Sequence, residues 1–399
     1  SWRISEEQFM ENTRQWLDNL TLKVSYGGQG NDNLGTYYAW QGLYDYTWPN
    51  ATDAGAFVDK LENRKVTWEK NGNLNAGIEA TMFGGRLGVS VEYYNRKTRD
   101  MLLNSPLPIS TGFTGFNDNV GSLRNQGLEV SLRGTILDKR DFRWDATLMG
   151  SFNRNKVLSL TGGQDVITSG IRVIEVGRPI YTFYLPKTAG VDPATGKQLY
   201  YAYWTQTVND EGALVNTRCD EYITDNVAMA TLSKYYHESR EPKLFGSIGS
   251  TFTILKNIDV SFLTTYSIGG WVYDGLYNGS MYVQYAGNNW HKNAKRRWQK
   301  PGDKTDVPML EVGGSYATTS NSLIDASYFA IKNITVGYTL PKRWLKKIDI
   351  ESLRIYATLD NIAMFNHMDG MDPQYNFTGS VAYSYTPSRV IAFGIDLNF

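Results

Sequence analysis

The stretch Val390-Ile-Ala-Phe-Gly-Ile-Asp-Leu-Asn-Phe399 alternates two kinds of side chain. Its odd-numbered residues are large and apolar, and its even-numbered residues after Val390 are small or polar. Successive side chains of a β-strand point to opposite faces, so this stretch predicts a strand with one apolar and one polar face. The apolar face consists of Ile391, Phe393, Ile395, Leu397 and Phe399.

Composition supports a β-rich chain and excludes several classes of function. The 399 residues include 27 Tyr, 11 Trp, 16 Phe and 38 Gly, which suits many strands and turns. Forty basic and forty acidic residues cancel, so no overall charge favours nucleic acid as a partner. Cys219 is the single cysteine, which excludes an internal disulfide.

No run of about 18 apolar residues predicts a transmembrane helix. The first residues, Ser-Trp-Arg-Ile-Ser-Glu-Glu, lack both an initiating Met and the apolar core of a signal peptide. We therefore expect the chain to begin within a longer protein. Ser5-Glu-Glu-Gln8 is a capping box, which predicts a short amphipathic helix ahead of the first strand.

Alternation with a period of two recurs along the chain and predicts eleven strands. Several of these strands form hairpins joined by tight polar turns, such as Asp138-Lys-Arg-Asp141 and Gly84-Gly85. The predicted strands are Leu20–Tyr26, Thr36–Trp48, Leu74–Met82, Leu87–Tyr93, Leu128–Ile136, Phe142–Phe152, Leu244–Ile254, Ile258–Ile268, Ile334–Leu340, Leu353–Leu359 and Val390–Phe399.

The connections between these strands alternate between short and long. Short links fall near 28–35, 84–85, 138–141, 255–257 and 341–351, and long ones near 49–72, 104–126, 160–243, 274–322 and 363–387. An up-and-down meander with tight turns at one end and large loops at the other is typical of an outer-membrane β-barrel.

The distribution of charge also favours a membrane barrel. The apolar parities carry no Asp, Glu, Lys or Arg, whereas the opposite parities carry charged residues such as Glu79, Arg143 and Asp259. A Lys or Arg facing lipid at mid-membrane costs about 2 to 4 kcal/mol, whereas a charge facing a water-filled lumen costs little. A soluble β-sandwich shows similar alternation, but it does not need such long strands or alternating loop lengths.

We therefore predict an all-β, transmembrane, antiparallel up-and-down barrel with long extracellular loops and short periplasmic turns. Bacterial barrels have even strand numbers, so an odd count of eleven means either a missed strand or about half of a 22-stranded barrel. The terminal strand ends at the periplasmic side, and we predict that Ile395, Leu397 and Phe399 act as the outer-membrane insertion signal.

Several motifs, in this order along the chain, resemble the SusC/RagA-like TonB-dependent transporters of the Bacteroidetes outer membrane. The resemblance covers essentially all 399 residues as the C-terminal part of a longer chain. The motifs are Trp2-Arg-Ile-Ser-Glu-Glu-Gln-Phe9, Trp68-Glu-Lys70, Asn75-Ala-Gly-Ile78, Tyr93-Tyr-Asn-Arg-Lys-Thr-Arg-Asp-Met-Leu-Leu103, Asn119-Val-Gly-Ser-Leu-Arg-Asn-Gln-Gly-Leu-Glu129, Trp298-Gln-Lys-Pro-Gly-Asp-Lys-Thr-Asp-Val-Pro308, Phe329-Ala-Ile-Lys-Asn-Ile-Thr-Val-Gly-Tyr338 and Leu359-Asp-Asn-Ile362.

The resemblance implies that residues 1–399 are the C-terminal half of a 22-stranded barrel with an N-terminal plug. It implies active import of oligosaccharides, or in a minority of relatives peptides, energised by the TonB complex. The implied partners are a SusD-like surface lipoprotein that lids the barrel and the lipid and lipopolysaccharide of the outer membrane, with a dimer of transporter–lipoprotein pairs as a further expectation. It implies no cofactor and no nucleic acid.

Aromatic residues in two long loops are the candidate contacts to substrate or lipoprotein, because Tyr and Trp stack on sugar rings and also anchor protein interfaces. Packing within the loops is the alternative role. The candidates are Tyr200, Tyr201, Tyr203, Trp204, Tyr282, Tyr285 and Trp290. Trp48, Trp144 and Trp271 are near strand ends, where we expect them to lie at the membrane interface.

No catalytic or metal-binding motif accompanies this pattern. His237, His291 and His367 lack metal-site spacing, and Gly27-Gly-Gln-Gly30 lacks the strand–loop–helix context of a phosphate loop. Lys295-Arg-Arg-Trp298 is too short to indicate nucleic acid, and contact with lipopolysaccharide phosphates or with solvent suits it better. Two alternatives to active import stay open, namely a secreted carbohydrate-binding β-protein and a passive porin.

Overall fold

The structure is a computed structural model of all 399 residues. It describes residues 1–33, 37–38, 40–49, 51–53, 55–160, 165–281, 289–311, 316–345, 350–368, 370–374, 377–381 and 385–399.

The strands are β1 (Trp2–Arg3), β2 (Leu17–Asn31), β3 (Leu43–Asp45), β4 (Phe57–Lys60), β5 (Glu69–Met82), β6 (Leu87–Arg99), β7 (Leu102–Pro106), β8 (Gly115–Asn119), β9 (Gly121–Lys139), β10 (Phe142–Leu160), β11 (Val166–Ser169), β12 (Arg172–Glu175), β13 (Thr182–Pro186), β14 (Thr188–Val191), β15 (Gln198–Val208), β16 (Leu214–Thr224), β17 (Lys234–Ser239), β18 (Leu244–Ile254), β19 (Ile258–Ile268), β20 (Trp271–Asp274), β21 (Leu323–Asp325), β22 (Tyr328–Thr339), β23 (Ser352–Asn366), β24 (Ser380–Val381) and β25 (Val390–Asn398).

Helices are short. The α-helices are α1 (Val227–Leu232), α2 (Gly275–Met281) and α3 (Lys342–Leu345), and the 3₁₀ segments are Ile4–Glu6, Gln8–Thr13, Ile109–Thr111, Lys292–Arg296 and Ser320–Ser322. Among the described residues, no helix has the length and apolar character needed to cross a membrane.

One antiparallel sheet of eleven strands organises the chain, in the order β1-β2-β5-β6-β9-β10-β18-β19-β22-β23-β25. The strands that are missing from this order lie in the long connections and form other sheets. The remaining strands are neighbours in the order in which they follow one another along the chain, as in an up-and-down barrel. Residues paired directly across strands share a face, so the register joins the apolar parities of successive strands into one surface. One such row runs through Val89, Leu132, Leu148 and Ile248.

This apolar surface, here called the outer face, is exposed. On β25, Phe393 is 82% exposed and Ile395 is 64% exposed, and on β10 Phe152 is 49% exposed. In a β-sandwich a second sheet would cover such residues. No described residue covers this face in that way, and a long apolar face of this kind is what the lipid-facing side of a membrane barrel presents.

The opposite face, here called the inner face, pairs its charges between different strands of the sheet. Arg354 on β23 bonds Asp259 on β19, with 2.7 Å between Nη2 and Oδ2, and also reaches Asp396 on β25 at 3.4 Å. Lys23 pairs with Glu79 in the same way. The predicted segregation of charge to one face is therefore confirmed within the apolar band of the sheet.

Two local predictions are wrong. The predicted strand Thr36–Trp48 is not part of the large sheet. Among its described residues, Leu43–Asp45 is a strand, and it pairs with Phe57–Lys60 in a small hairpin. The eleventh strand of the sheet is instead the two-residue β1, which pairs beside Leu22. The predicted amphipathic helix forms two 3₁₀ segments, beside the turn end of the sheet.

The alternation of connections survives this correction. The links of 83–86, 140–141, 255–257 and 340–351 are short and define the turn end of the sheet. The links of 32–68, 100–120, 161–243, 269–327 and 367–389 are long and define the loop end. The long loops build sheets of their own, including β11-β12-β13-β17, β14-β15-β16 and β21-β20-β24.

The apolar cores of the molecule lie mostly in these loops. One core joins Phe183 and Leu185 with Tyr273 and Leu323, and therefore ties the 161–243 loop to the 269–327 loop. Another joins Val272 with Met368 and Met371, and ties the 269–327 loop to the 367–389 loop. These three loops thus pack together into one folded structure at the loop end.

Candidate functional site

The predicted aromatic contacts on β15 divide between buried and accessible positions. Tyr200 is only 1% exposed and packs with Ala230 and Ala317, so in this arrangement its ring supports the loop. Tyr201, Tyr203 and Trp204 are half-buried, with Tyr200 at the centre of the β14-β15-β16 sheet. The accessible part of the candidate surface is therefore formed by the residues after Tyr200.

Cations and aromatic rings alternate across this loop sheet. The Lys187 ammonium lies 4.4 Å from the centre of the Tyr201 ring, and the Arg218 guanidinium lies 5.2 Å from that of Tyr203. Tyr203 packs edge to face on Tyr235, with 5.3 Å between ring centres. Such contacts hold flat rings in place, which suits a surface that stacks on a ligand or a partner.

Burial changes the protonation chemistry of this cluster. The Tyr203 hydroxyl donates to the carbonyl of Lys234 at 2.6 Å. Desolvation raises the pKa of both Tyr203 and Tyr235 above the ordinary tyrosine value. Both hydroxyls are therefore neutral over the physiological pH range.

The second group of predicted contacts lies at a cleft in the 269–327 loop. Trp290 is 37% exposed, stacks near Arg297 and lines a cleft of 480 Å³ together with His291 and His367. Tyr282 and Tyr285 lie outside the described residues. Of this predicted group, the structure therefore places Trp290 at a concave surface, about 90 residues along the chain from β15.

An acidic group lies at the base of this cleft. Asp274 is 5% exposed and accepts the backbone N–H of Tyr277 at 2.8 Å. Burial raises the pKa of Asp274 above its usual range. Glu241, at the junction of loop and sheet, accepts the backbone N–H of Asn155 at 3.1 Å, and burial likewise raises its pKa.

Two sequence motifs that are far apart along the chain contact each other. The turn Gly190-Val-Asp-Pro-Ala-Thr-Gly196 accepts the Trp298 indole N–H at the carbonyl of Pro193, at 2.9 Å. The backbone N–H of Met309 donates to the carbonyl of Gly196 at 2.8 Å. Gly196 has φ +74° and faces the Trp298 ring, which leaves no room for a Cβ. This contact fixes the 161–243 loop against the 269–327 loop.

Of the residues predicted to face the membrane or its interface, four lie on the outer face of the sheet, whereas Trp48 and Trp271 lie in the loops. Ile395, Leu397 and Phe399 lie on the outer face beside the turn end, and the insertion role predicted for them stays a prediction. Trp144 also lies on the outer face, stacked on Phe252 at 5.7 Å. Trp48 is exposed in the 32–68 loop. The interface prediction is wrong for Trp271, which packs on the Phe183 core inside the loops.

A group of cations on the outer face was not predicted from the sequence. The predicted strands end at Tyr93 and Phe152, whereas β6 continues to Arg99 and β10 to Leu160. Beyond the apolar rows, the same parity carries Lys97, Arg124 and Lys156. Their position on the outer face follows from the sequence when the parity of the apolar residues is continued past the last apolar residue of each strand.

The eleven-stranded sheet, with its apolar outer face and its ion-paired inner face, defines an outer-membrane β-barrel protein. Residues 12–362 match the family model described as TonB dependent receptor-like, beta-barrel, and the chain belongs to this family. The family is one of receptors and transporters of the outer membrane, and it is not an enzyme family. The resemblance drawn from the motifs is thereby confirmed.

Named relatives match the whole chain. TonB-dependent receptor P26 of Formosa agariphila is 28% identical over 432 residues, and SusC of Bacteroides thetaiotaomicron is 27% identical over 413 residues. These alignments cover 100% of this chain, and 42% and 39% of the two relatives respectively. The chain thus spans about two fifths of the length of these relatives.

Solved structures agree with this assignment. The RagAB peptide transporter superposes with a TM-score of 0.83 at 28% identity, covering 100% of this chain and 42% of that one. The RagAB peptide importer in its open-open state gives a TM-score of 0.78 at 27% identity over the same shares.

Proposed function

We propose that the protein to which these residues belong imports a nutrient across the outer membrane, energised by TonB. Residues 1–399 form the C-terminal half of its barrel. The remaining strands and the plug belong to the part of the full-length protein that corresponds to the uncovered part of the relatives. The observation that carries the proposal is the eleven-stranded sheet, apolar on its outer face and ion-paired on its inner face. Membership of the TonB dependent receptor-like family supports the energy source.

The loop end supplies the proposed docking surface for a SusD-like lipoprotein lid. The 161–243, 269–327 and 367–389 loops pack into one folded structure through shared apolar cores, which suits a stable interface better than separate mobile loops. Tyr201, Tyr203, Trp204 and Trp290 supply aromatic anchors of the kind found at interface hot spots.

The proposed substrates are oligosaccharides, with peptides as the second candidate. Half-buried aromatic rings on β15 present flat faces that stack on sugar rings. The second candidate is favoured by the likeness to a protein named as a peptide transporter, at a TM-score of 0.83.

The test uses the tagged full-length protein in its host. Outer membranes are extracted in mild detergent, and the proteins that co-purify in stoichiometric amount are identified by mass spectrometry. A surface lipoprotein in stoichiometric amount supports a lidded importer. Purification without any partner contradicts the lid.

The energy source needs a separate measurement. Uptake of labelled oligosaccharides and of labelled peptides is followed in cells before and after an uncoupler dissipates the proton gradient. Uptake that stops with the uncoupler supports TonB-driven import and identifies the substrate class. Uptake that continues unchanged indicates a passive porin.

A further inference from the structure

A row of three cations crosses the outer face above the apolar band. Lys97 on β6 pairs directly with Arg124 on β9, and Arg124 pairs directly with Lys156 on β10. Directly paired residues on one face of a sheet have Cβ atoms about 5 Å apart. Lys97, Arg124 and Lys156, here called the basic row, therefore place three positive charges within about 10 Å.

More cations flank the basic row on the same face. Arg99 lies two residues beyond Lys97 on β6, and Arg154 lies two residues before Lys156 on β10. Both of these side chains are exposed. The outer face therefore presents five cations on three adjacent strands.

These five cations have no ion-pair partner among the described residues. The nearby Lys70 pairs with Asp100 at 2.9 Å, whereas none of the five takes part in such a pair. The Nε of Arg124 is buried from solvent and makes no hydrogen bond with the described residues. Like charges opposite one another destabilise a sheet, and none of the described carboxylates forms an ion pair with these five cations that would offset the cost.

The height of the basic row matches the headgroup level of a membrane. The outer face is apolar from Phe142 to Phe152, about 33 Å along the strand, or about 25 Å of membrane thickness at the usual strand tilt. Lys156 lies four residues beyond Phe152 toward the loop end, about 10 Å above this band. Tyr93, Leu128 and Phe152 form the apolar row that borders the cations from below.

We propose that the basic row binds the phosphate groups of a phosphorylated, multiply acylated glycolipid in the outer leaflet. The phosphates would neutralise Lys97, Arg124 and Lys156, since guanidinium and ammonium groups form charge-assisted bonds to phosphate. The acyl chains would lie on the exposed row of Tyr93, Leu128 and Phe152 below. Only a ligand with anionic and hydrocarbon parts in this vertical order fits both rows, which favours a lipid over a soluble acidic partner.

The site is independent of the imported substrate, because it lies on the outer face, away from the inner face and the loop aromatics. The proposal therefore stands or falls separately from the proposed function. It concerns the attachment of the barrel to the surrounding leaflet.

The experiment uses the purified full-length protein in nanodiscs. The probes are lipid A carrying two phosphates and the same lipid A after removal of its phosphates, with inorganic phosphate as a soluble competitor. Native mass spectrometry measures how much of each lipid stays bound. We expect the phosphorylated lipid to bind about tenfold or more tightly, and inorganic phosphate not to displace it.

The variant K97Q/R124Q/K156Q removes the basic row, and K65Q/K300Q/K304Q removes three exposed charges from the 32–68 and 269–327 loops as a matched control. We expect the first variant to lose the preference for the phosphorylated lipid, and the control to keep it. The conservative variant K97R/K156R should also keep it. Heat-modifiable migration in electrophoresis confirms that each barrel is folded.

Three results would overturn the proposal. They are equal binding of both lipids by the unchanged protein, an unchanged preference in the folded triple variant, and an equal loss of preference in the loop control. The first comparison needs no variant, so the proposal can be refuted even if the triple variant does not fold.

Discussion

Leu148 offers the sharpest test of which face of the sheet meets lipid. It lies on β10, six residues after Phe142 and four before Phe152, and therefore near the middle of the apolar band. Its neighbour Met149 lies on the opposite face. The two side chains are similarly exposed in this chain, at 43% and 47%. Both are long and apolar, so exposure and side-chain type alone predict the same effect for a charge at either position.

If the outer face meets lipid, an arginine should have different effects on stability at the two positions. Leu148→Arg places a guanidinium in hydrocarbon and should cost about 2 to 4 kcal/mol of folding free energy, or roughly 30-fold to 700-fold in the unfolding equilibrium constant. Met149→Arg places the same group on the inner face, opposite Ser131 and Ser247, where water can hydrate it. That change should cost less than about 1 kcal/mol.

The assay is equilibrium urea unfolding of the full-length protein in lipid vesicles, followed by tryptophan fluorescence and heat-modifiable migration. The measured quantity is the difference in unfolding free energy between the two variants. Equal costs at the two positions, or a larger cost for Met149→Arg, would refute the assignment of the outer face to lipid.

Three further changes probe the loops. Gly196→Ala should destabilise the loop contact by about 1 to 3 kcal/mol more than Gly212→Ala. Both glycines have positive φ, but only a Cβ at Gly196 would meet the facing indole. Limited proteolysis of the loops measures this difference. Glu241→Gln should stabilise the protein increasingly as pH rises above 4.5, because burial raises the pKa of this carboxyl and its ionised form is costly in the folded state. The unfolding midpoints of the variant and the unchanged protein should therefore be similar at pH 4, and the variant should have the higher midpoint at pH 7. Tyr200→Ala should cost about 3 to 5 kcal/mol as a core deletion, whereas Tyr201→Ala should leave stability nearly unchanged and weaken lipoprotein co-purification or uptake.

Sequence alternation predicted the barrel strands well wherever the two faces differ in chemistry. The hairpins around residues 84–85, 138–141 and 255–257 were predicted correctly because lipid demands an apolar side chain at every second position. The segment Thr36–Trp48 misled the same reasoning. Its density of aromatic residues imitates a strand, but these residues belong to a loop.

Strand length was harder to predict than strand position. Above the apolar band both faces meet water or headgroups, so the contrast between parities disappears while the backbone pairing continues. The first seven residues of β9, which precede Leu128, carry no apolar alternation, although residues 123–127 pair without interruption with both neighbouring strands. The basic row was hidden for this reason.

The candidate site was only partly predictable, because tertiary packing decides which loop aromatics are accessible. Tyr200 and Tyr201 are adjacent in the sequence and chemically identical, yet one is buried under α1 and the 316–317 segment and the other is half-exposed. No local pattern distinguishes them. The contact of Gly196 with Trp298 likewise joins two loops that are about 100 residues apart.

The most direct test of the membrane barrel is fluorescence quenching along β25 in the full-length protein in vesicles. Single cysteines at positions 391–398, in a background with Cys219 replaced by Ser, carry an environment-sensitive dye. If the apolar face of β25 meets lipid, dyes at Ile391, Phe393, Ile395 and Leu397 should be quenched by brominated lipid, and dyes at the positions between them by aqueous iodide. Quenching by iodide at all positions alike would show that β25 does not lie in a membrane barrel wall.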